Sequence, residues 1–135
     1  DRCQNVCPRN AAWLAKDLSP NLKVAVKEKD FQLSDLLHMD KVYFEQKIWP
    51  HMFYMSSQDI WRWKMNVARV MGNTNDRGFT TDLVKAFEEN PDDRVRSMIV
   101  WALGKLGGEK ARQALEQFLV KSEGIVLEEV RRALA

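Results

Sequence analysis

Two cysteines near the start of the sequence have the residue type and spacing of metal ligands. Cys3 and Cys7 stand in the stretch CQNVCP, so that Pro8 directly follows the second thiol. Thiolates hold iron–sulfur clusters, and one bacterial ligand run ends in C-x3-C-P. A [4Fe-4S] cluster needs four ligands. We therefore predict that Cys3 and Cys7 are partial [4Fe-4S] ligands, and that this chain is an excised piece whose upstream part completes the set.

Two other interpretations of this pair stay open. The cysteines can be ordinary thiols, or they can form one local disulfide. A zinc site is disfavoured, because His38 and His51 lie far along the chain without the spacing of a zinc finger. The sequence shows no nucleophile–base pair, paired carboxylates or phosphate-binding glycine loop, so we expect any catalytic residues to lie outside this fragment.

Composition is that of one globular domain. The 135 residues are 45% hydrophobic and 30% charged, with 21 basic and 19 acidic side chains. This net charge of +2 is too balanced to indicate nucleic-acid binding from totals alone. No apolar run approaches the roughly 20 residues of a membrane span, and no signal peptide is apparent, so we expect no membrane partner.

The first part of the chain is predicted to be a linker. Residues 1–30 are assigned to the end of the cluster motif and a linker, with two helical turns over 11–18 and an extended stretch over 23–30. Ser34 is the predicted N-cap of a helix that ends near Trp49, before Pro50. Its apolar stripe consists of Leu33, Leu36, Leu37, Val42 and Phe44. A second helix, capped by Ser57 or Asp59, is predicted to end at Gly72-Asn73.

An internal repeat organises the remaining sequence. The stretch VARVMGN (67–73) aligns with IVWALGK (99–105), which places Gly72 under Gly104; the same shift places Leu83 under Leu115 and Phe87 under Leu119. A third copy begins with VLEEVRRALA (126–135). Such a repeat predicts stacked helix pairs that bury their apolar faces together. We predict an all-α fold over residues 31–135, a HEAT-like helical-repeat solenoid with a right-handed α-α superhelix.

Basic and aromatic residues alternate at the start of the second helix. Aromatic rings can stack on bases while cations neutralise phosphates, so a nucleic-acid contact is one hypothesis. Packing within the fold is the favoured alternative for at least one of the tryptophans, Trp61 or Trp63. The candidate nucleic-acid residues are Arg62, Trp63, Lys64 and Arg69.

Two further groups of apolar residues are candidates for packing between repeats or for an interface. Trp101 aligns with Arg69, so it is either a surface anchor or, as is more common, a residue that packs between repeats. The run Met52–Met55 combines methionines with aromatic residues, and an exposed patch of this kind usually marks an interface.

The order of these motifs resembles the C-terminal part of the epoxyqueuosine reductase family. That family shows C-x2-C-x3-C-P-W-N, then L-L-x-L-D-x-x-x-F, then R-N-x-x-x-x-L-G-N. The matching residues are Cys3, Cys7, Pro8, Asn10, Leu36, Leu37, Asp40, Phe44, Asn66, Gly72 and Asn73. Arg9 and Met65 depart from the pattern, which marks a divergent relative.

The resemblance carries functional implications. It implies a cytoplasmic oxidoreductase with two [4Fe-4S] clusters and cobalamin that acts on tRNA in queuosine biosynthesis. The partners it implies are the upstream N-terminal domains of the same chain and tRNA, and the fragment would be a scaffold or substrate-docking domain. The alternative is a HEAT-like protein–protein interaction module whose cysteines are incidental.

Overall fold

The computed structural model describes residues 2–16, 19 and 21–135, with the side chains of Arg2 and Gln4 excepted. Within these ranges the chain is helical and forms no strand. The first helices are α1 (Arg2–Asn5), α2 (Ala11–Leu14) after a 3-10 turn at Pro8–Asn10, and α3 (Leu22–Glu28), followed by a second 3-10 turn at Lys29–Phe31. Next come α4 (Leu33–His38) and α5 (Lys41–Tyr43), which continues as a π-helix over Phe44–Ile48.

The longer helices follow in the second half of the chain. A 3-10 turn at Ser57–Asp59 leads into α6 (Ile60–Asn73), and another at Arg77–Phe79 leads into α7 (Thr80–Glu89). The last three are α8 (Asp93–Leu106), α9 (Glu109–Lys121) and α10 (Gly124–Leu134). None of the helices in the described ranges combines the length and apolar character needed to cross a bilayer.

The N-terminal arm, defined here as residues 2–16, 19 and 21–28, lies on the surface. No side chain described in it is buried. The predicted extended stretch over 23–30 is wrong, because Asn21 caps a helix there by accepting a hydrogen bond from the Lys23 backbone N–H. The helix predicted over 11–18 is present at Ala11–Leu14, while residues 17 and 18 lie outside the described ranges.

The helix predicted from Ser34 to Trp49 is interrupted at Met39-Asp40. The Asp40 side chain accepts a 2.8 Å hydrogen bond from the Tyr43 N–H and so begins a new helix. Ser34 is not an N-cap, because it lies inside α4, whose N-cap is Gln32. Its hydroxyl donates to Asp82 on α7, at 2.5 Å. Of the predicted stripe, Leu36, Leu37 and Phe44 are buried, Leu33 is partly buried and Val42 is exposed.

The repeat stack, residues 60–134, is built on α6, α8 and α10. Two glycines allow these helices to approach closely: a Cβ at Gly72 would lie 2.9 Å from the Ala102 Cα, and one at Gly104 would lie 2.8 Å from the Ala133 Cβ. The helix α6 ends at Asn73, as predicted, but its C-cap is Thr74, so Gly72 lies inside the last turn and does not cap the helix. A glycine recurs at the equivalent position, Gly104, because neighbouring repeats pack closely together there.

The second helices of each pair, α7 and α9, stack through their aromatic residues. Phe87 and Phe118 lie with ring centroids 3.6 Å apart and planes 11° from parallel. The aligned residue Leu119 is 38% exposed, so Phe118 occupies the buried position of α9 that corresponds to Phe87, one residue away from the alignment. Leu83 and Leu115 are both buried, as their alignment predicts.

The third copy follows the pattern that its sequence predicts. Val126 and Val130 are buried, as are their counterparts Val95 and Ile99. Ala133 and Leu134 are partly buried and pack against the same core. The chain is thus an all-α helical repeat, as predicted.

Candidate functional site

The cysteine pair lies at the tip of the N-terminal arm. Cys3 is on α1 and is exposed; Cys7 follows that helix and is partly exposed, and both are free thiols. Cys7 adopts an extended conformation (φ −74°, ψ 120°), and Pro8 begins the 3-10 turn that follows. Proline has no N–H to donate, and it suits the first position of a helical turn. The chain therefore changes direction directly at the second thiol, which stays accessible to a ligand.

The surroundings of the cysteine pair decide whether a metal ion could be held there. Among the described residues, no three His, Cys, Asp or Glu side chains lie close enough together to hold a metal ion. The donors described at this end of the chain are two thiols four residues apart. Thiols are the right donors for [4Fe-4S] clusters, but two of them are an incomplete ligand set, since each cluster needs four.

Both histidines lie away from the cysteines and interact with charged side chains. His38, at the end of α4, donates from Nδ1 to Glu89 Oε2 at 2.7 Å. This hydrogen bond holds the pKa of the Glu89 carboxyl below its usual range, against the opposing effect of desolvation. His51 accepts from the Lys27 ammonium at 2.7 Å. The first contact joins α4 to α7 and the second joins α3 to the turn at His51, and the two do not form a common site.

The four candidate nucleic-acid residues on α6 do not face the same way. Arg62 and Arg69 are both exposed and, seven residues apart, lie on one side of the helix. Trp63 is partly buried, and its indole N–H donates to the Met55 sulfur at 3.0 Å. Lys64 is half-buried, and desolvation lowers its pKa although Glu89 and Asp40 act in the opposite direction. The structure therefore brings Arg62 and Arg69 together and separates Trp63 and Lys64 from them.

An arginine that the sequence analysis did not identify joins two repeats at this surface. The Arg94 guanidinium lies over the Trp61 ring, 3.5 Å from its centroid. The same group makes two hydrogen bonds to the Asp92 carboxylate, of 3.0 and 2.7 Å. Arg94 aligns with Arg62 in the repeat, so the internal alignment identifies both positions as arginines. It does not predict the contact, because the Trp61 ring beneath the guanidinium lies on the neighbouring helix.

Trp101 packs between repeats, as the more common alternative predicts. Its side chain is partly buried, and its Cζ3 would lie 3.0 Å from a Cβ placed at Gly72 on α6. The absence of a side chain at Gly72 thus provides room for the indole as well as for the backbone of α8. This arrangement gives Trp101 a structural role in the repeat stack.

In the aromatic loop, defined as residues 52–55, both aromatic rings are exposed and both methionine sulfurs accept a hydrogen bond. Phe53 and Tyr54 are 71% and 73% exposed and meet edge to face, with centroids 5.9 Å apart. Met52 accepts from the Tyr54 hydroxyl, and Met55 accepts from Trp63. The prediction that this loop is an interface remains a prediction, and exposed rings of this size favour it.

Comparison with known proteins defines the class of this fold. The family model of HEAT repeats matches residues 56–135. The chain belongs to the HEAT repeat family, whose paired helices match the stack of α6 to α10.

Individual relatives extend the similarity into the N-terminal arm. An epoxyqueuosine reductase of Listeria monocytogenes serovar 1/2a is 26% identical over 138 aligned positions, which cover 96% of this chain and 34% of that protein. An epoxyqueuosine reductase of Bacillus cereus is 26% identical over 139 positions, 99% of this chain and 35% of that protein.

The name of a third relative states no activity. The uncharacterized protein in gldA 3' region of Geobacillus stearothermophilus is 28% identical over 130 positions, 91% of this chain and 56% of that protein. The chain therefore spans about a third of the length of the two reductases and little more than half of this protein. No solved structure matches the chain.

Proposed function

We propose that this chain is the C-terminal helical-repeat part of an iron–sulfur oxidoreductase that resembles epoxyqueuosine reductase. The observation that carries the proposal is the alignment of almost the whole chain, arm and repeats together, with two proteins of that name. A HEAT repeat alone would align only over the stack. The similarity to the arm gives the C-x3-C-P motif a context in which thiolates are expected.

In this proposal Cys3 and Cys7 each supply one thiolate ligand to a [4Fe-4S] cluster, and they serve different clusters, because the last cysteine of the bacterial C-x3-C-P run ligates a second cluster. A bound cluster supplies one-electron transfer. The contribution of this chain is to hold two accessible sulfurs on a short turn and to keep them clear of the repeat stack. The remaining ligands would come from the N-terminal domains of the parent protein. Those domains would also bind cobalamin and contain the catalytic residues.

The cluster assignment is tested on the natural full-length protein, purified without oxygen. We expect visible absorbance typical of iron–sulfur clusters, and a loss of iron in Cys3→Ser and in Cys7→Ser. Val6→Ser is a matched control, because Val6 lies between the two cysteines, is 77% exposed and cannot ligate iron. Iron content unchanged in both cysteine variants would disprove the assignment.

A contact with tRNA is the second element of the proposed function. Arg62 and Arg69 present two guanidinium groups on one side of α6, although Arg62 also pairs with Asp59 at 3.1 Å. Both positions belong to the stretch predicted to contact nucleic acid. We propose that these two arginines contact phosphates, while Trp63 and Lys64 support the helix from within.

Salt-dependent binding tests this contact. Arg62→Ala and Arg69→Ala should each weaken tRNA binding and reduce the slope of log affinity against log salt by about one unit or less, as loss of a phosphate contact does. Lys85→Ala is a control, because Lys85 is an exposed cation on α7 that pairs with Glu89. Equal effects of all three substitutions, or binding that does not respond to salt, would contradict the proposal.

A HEAT-like protein–protein interaction module is the alternative function. The exposed Phe53 and Tyr54 favour it, since aromatic residues are enriched at protein interfaces. A full-length protein that lacks iron and forms a stable complex through this loop would support the alternative. Loss of that complex in Phe53→Ser, with wild-type stability, would then identify the surface.

A further inference from the structure

A cavity of about 450 Å³ opens beside the π-helix Phe44–Ile48. Its lining consists of Phe44, Glu45, Trp49, Ser56 and Ser57. Phe44 is fully buried, whereas Trp49 is 48% exposed and so presents part of its indole to the surface. Helical segments of the π type are rare and frequently occur at functional sites. The location and the lining together make this cavity a candidate binding site.

The side chains around the cavity favour a cation. The face of a tryptophan ring attracts positively charged groups, and arginine is the usual partner. Glu45 adds a carboxylate, and the hydroxyl oxygens of Ser56 and Ser57 are further acceptors. Because Glu45 repels anions, phosphate and nucleic acid are unsuited to this cavity.

The Glu45 carboxylate is only weakly engaged within the chain. Its ion-pair partner is Lys41, whose Nζ lies 3.6 Å from Oε1, longer than a charge-assisted hydrogen bond. The two side chains are 70% and 51% exposed, and ion pairs of this kind contribute little. An incoming cation can therefore displace Lys41 at low cost.

We propose that this cavity binds an arginine side chain presented by a partner protein. Arginine fits better than lysine, because a planar guanidinium can stack on Trp49 while its donors meet the Glu45 carboxylate. Phe53 and Tyr54 are exposed on the loop that joins Trp49 to Ser56, and they offer apolar contact to the rest of a protein segment. The inference is independent of the cysteines and of tRNA.

The test uses N-acetyl-arginine amide as probe and N-acetyl-citrulline amide as its uncharged isostere. The 135-residue chain, labelled with nitrogen-15, is titrated with each while amide and indole resonances are followed. We expect the arginine probe to shift the Trp49 indole resonance and the backbone of Glu45, and to bind about fivefold more tightly than the citrulline probe.

Three variants decide the result. Glu45→Gln should abolish the preference for arginine over citrulline, whereas Lys41→Ala should strengthen arginine binding by removing the competing cation. Glu116→Gln is the matched control, because Glu116 pairs with Arg112 at the same i, i+4 spacing on α9. Equal binding of the two probes overturns the proposal, as does an arginine affinity unchanged in Glu45→Gln or weakened in Lys41→Ala.

Discussion

The N-terminal arm exposes its large apolar side chains to solvent, whereas the repeat stack buries its apolar side chains. The arm exposes large apolar residues at Val6, Trp13, Leu14, Leu22, Val24 and Val26. The stack buries its apolar positions around α8, where Val95, Ile99 and Leu103 are inaccessible to solvent. A segment that buries no described side chain gains little from the hydrophobic effect. The stack therefore has an apolar core of its own, whereas the described residues of the arm bury no side chain.

The largest expected contrast between the regions concerns aromatic residues. Phe118 is fully buried and stacked on Phe87, so Phe118→Ala should lower the free energy of unfolding by about 3–5 kcal/mol. Trp13 is 62% exposed, so Trp13→Ala should change it by no more than about 0.5 kcal/mol. Urea denaturation followed by circular dichroism measures both. Similar destabilisation by the two substitutions would break the contrast.

The close contact between α6 and α8 provides the next test. Gly72→Leu should lower the free energy of unfolding by about 1–3 kcal/mol, because the new side chain meets the backbone of α8 at Ala102. Asn66→Leu places the same side chain on an exposed position of α6 and is the control. Equal stability of the two variants, measured by urea denaturation, would show that the glycine is dispensable for packing.

The Asp92–Arg94 pair predicts a pH dependence within the stack. Hydrogen bonds from Arg94 hold the pKa of the Asp92 carboxyl below its usual range, against desolvation. A carboxyl whose pKa is lowered on folding stabilises the folded state above its unfolded pKa of about 3.9, and this contribution is lost as the pH falls through its folded pKa. Asp92 is also the N-cap of α8, a role that asparagine can keep. Asp92→Asn should therefore remove only the charge and have a lower Tm than wild type at pH 7.

The difference between wild type and Asp92→Asn should shrink as the pH is lowered below about 4. Thermal unfolding at a series of pH values measures it. Asp93→Asn is the control, because its carboxylate reaches Arg96 only at 4.0 Å. A constant difference between wild type and Asp92→Asn at every pH would contradict the linkage.

The smallest expected effect comes from the arm. Leu22 is 79% exposed, so Leu22→Ser should leave the unfolding free energy of this chain unchanged within about 0.5 kcal/mol. The same substitution should weaken the natural full-length protein if the arm is covered there. Chemical denaturation of both proteins makes the comparison, and a clear loss in the short chain would mean that the arm already has a partner.

The repeats could be predicted from the sequence because hydrophobic spacing encodes the buried face of each helix. Val95, Ile99, Val126 and Val130 are buried as their alignment requires. The role of Gly72 could not be predicted with the same certainty, since glycine serves both helix ends and close helix contacts. Only the neighbouring Ala102 reveals which requirement applies.

The arm and the candidate site were less predictable. The charged stretch KVAVKEKD at 23–30 is compatible with an extended segment, but the described chain offers no strand to pair with it, and Asn21 caps a helix instead. The types and spacing of Cys3 and Cys7 are visible in sequence alone. The surroundings of Trp63 and Lys64 could not be predicted, because Met55, which accepts from Trp63, and Glu89 and Asp40, which act on the pKa of Lys64, belong to other segments of the chain.

Amide hydrogen exchange, measured on this chain and on the natural full-length protein, tests most directly whether the arm is ordered only by contacts made in the full-length protein. We predict that α8 exchanges slowly in both proteins, whereas α1 to α3 exchange rapidly in this chain and become protected only in the full-length protein. Strong protection of α1 to α3 in the 135-residue chain, or rapid exchange of these helices in both proteins, would contradict the account.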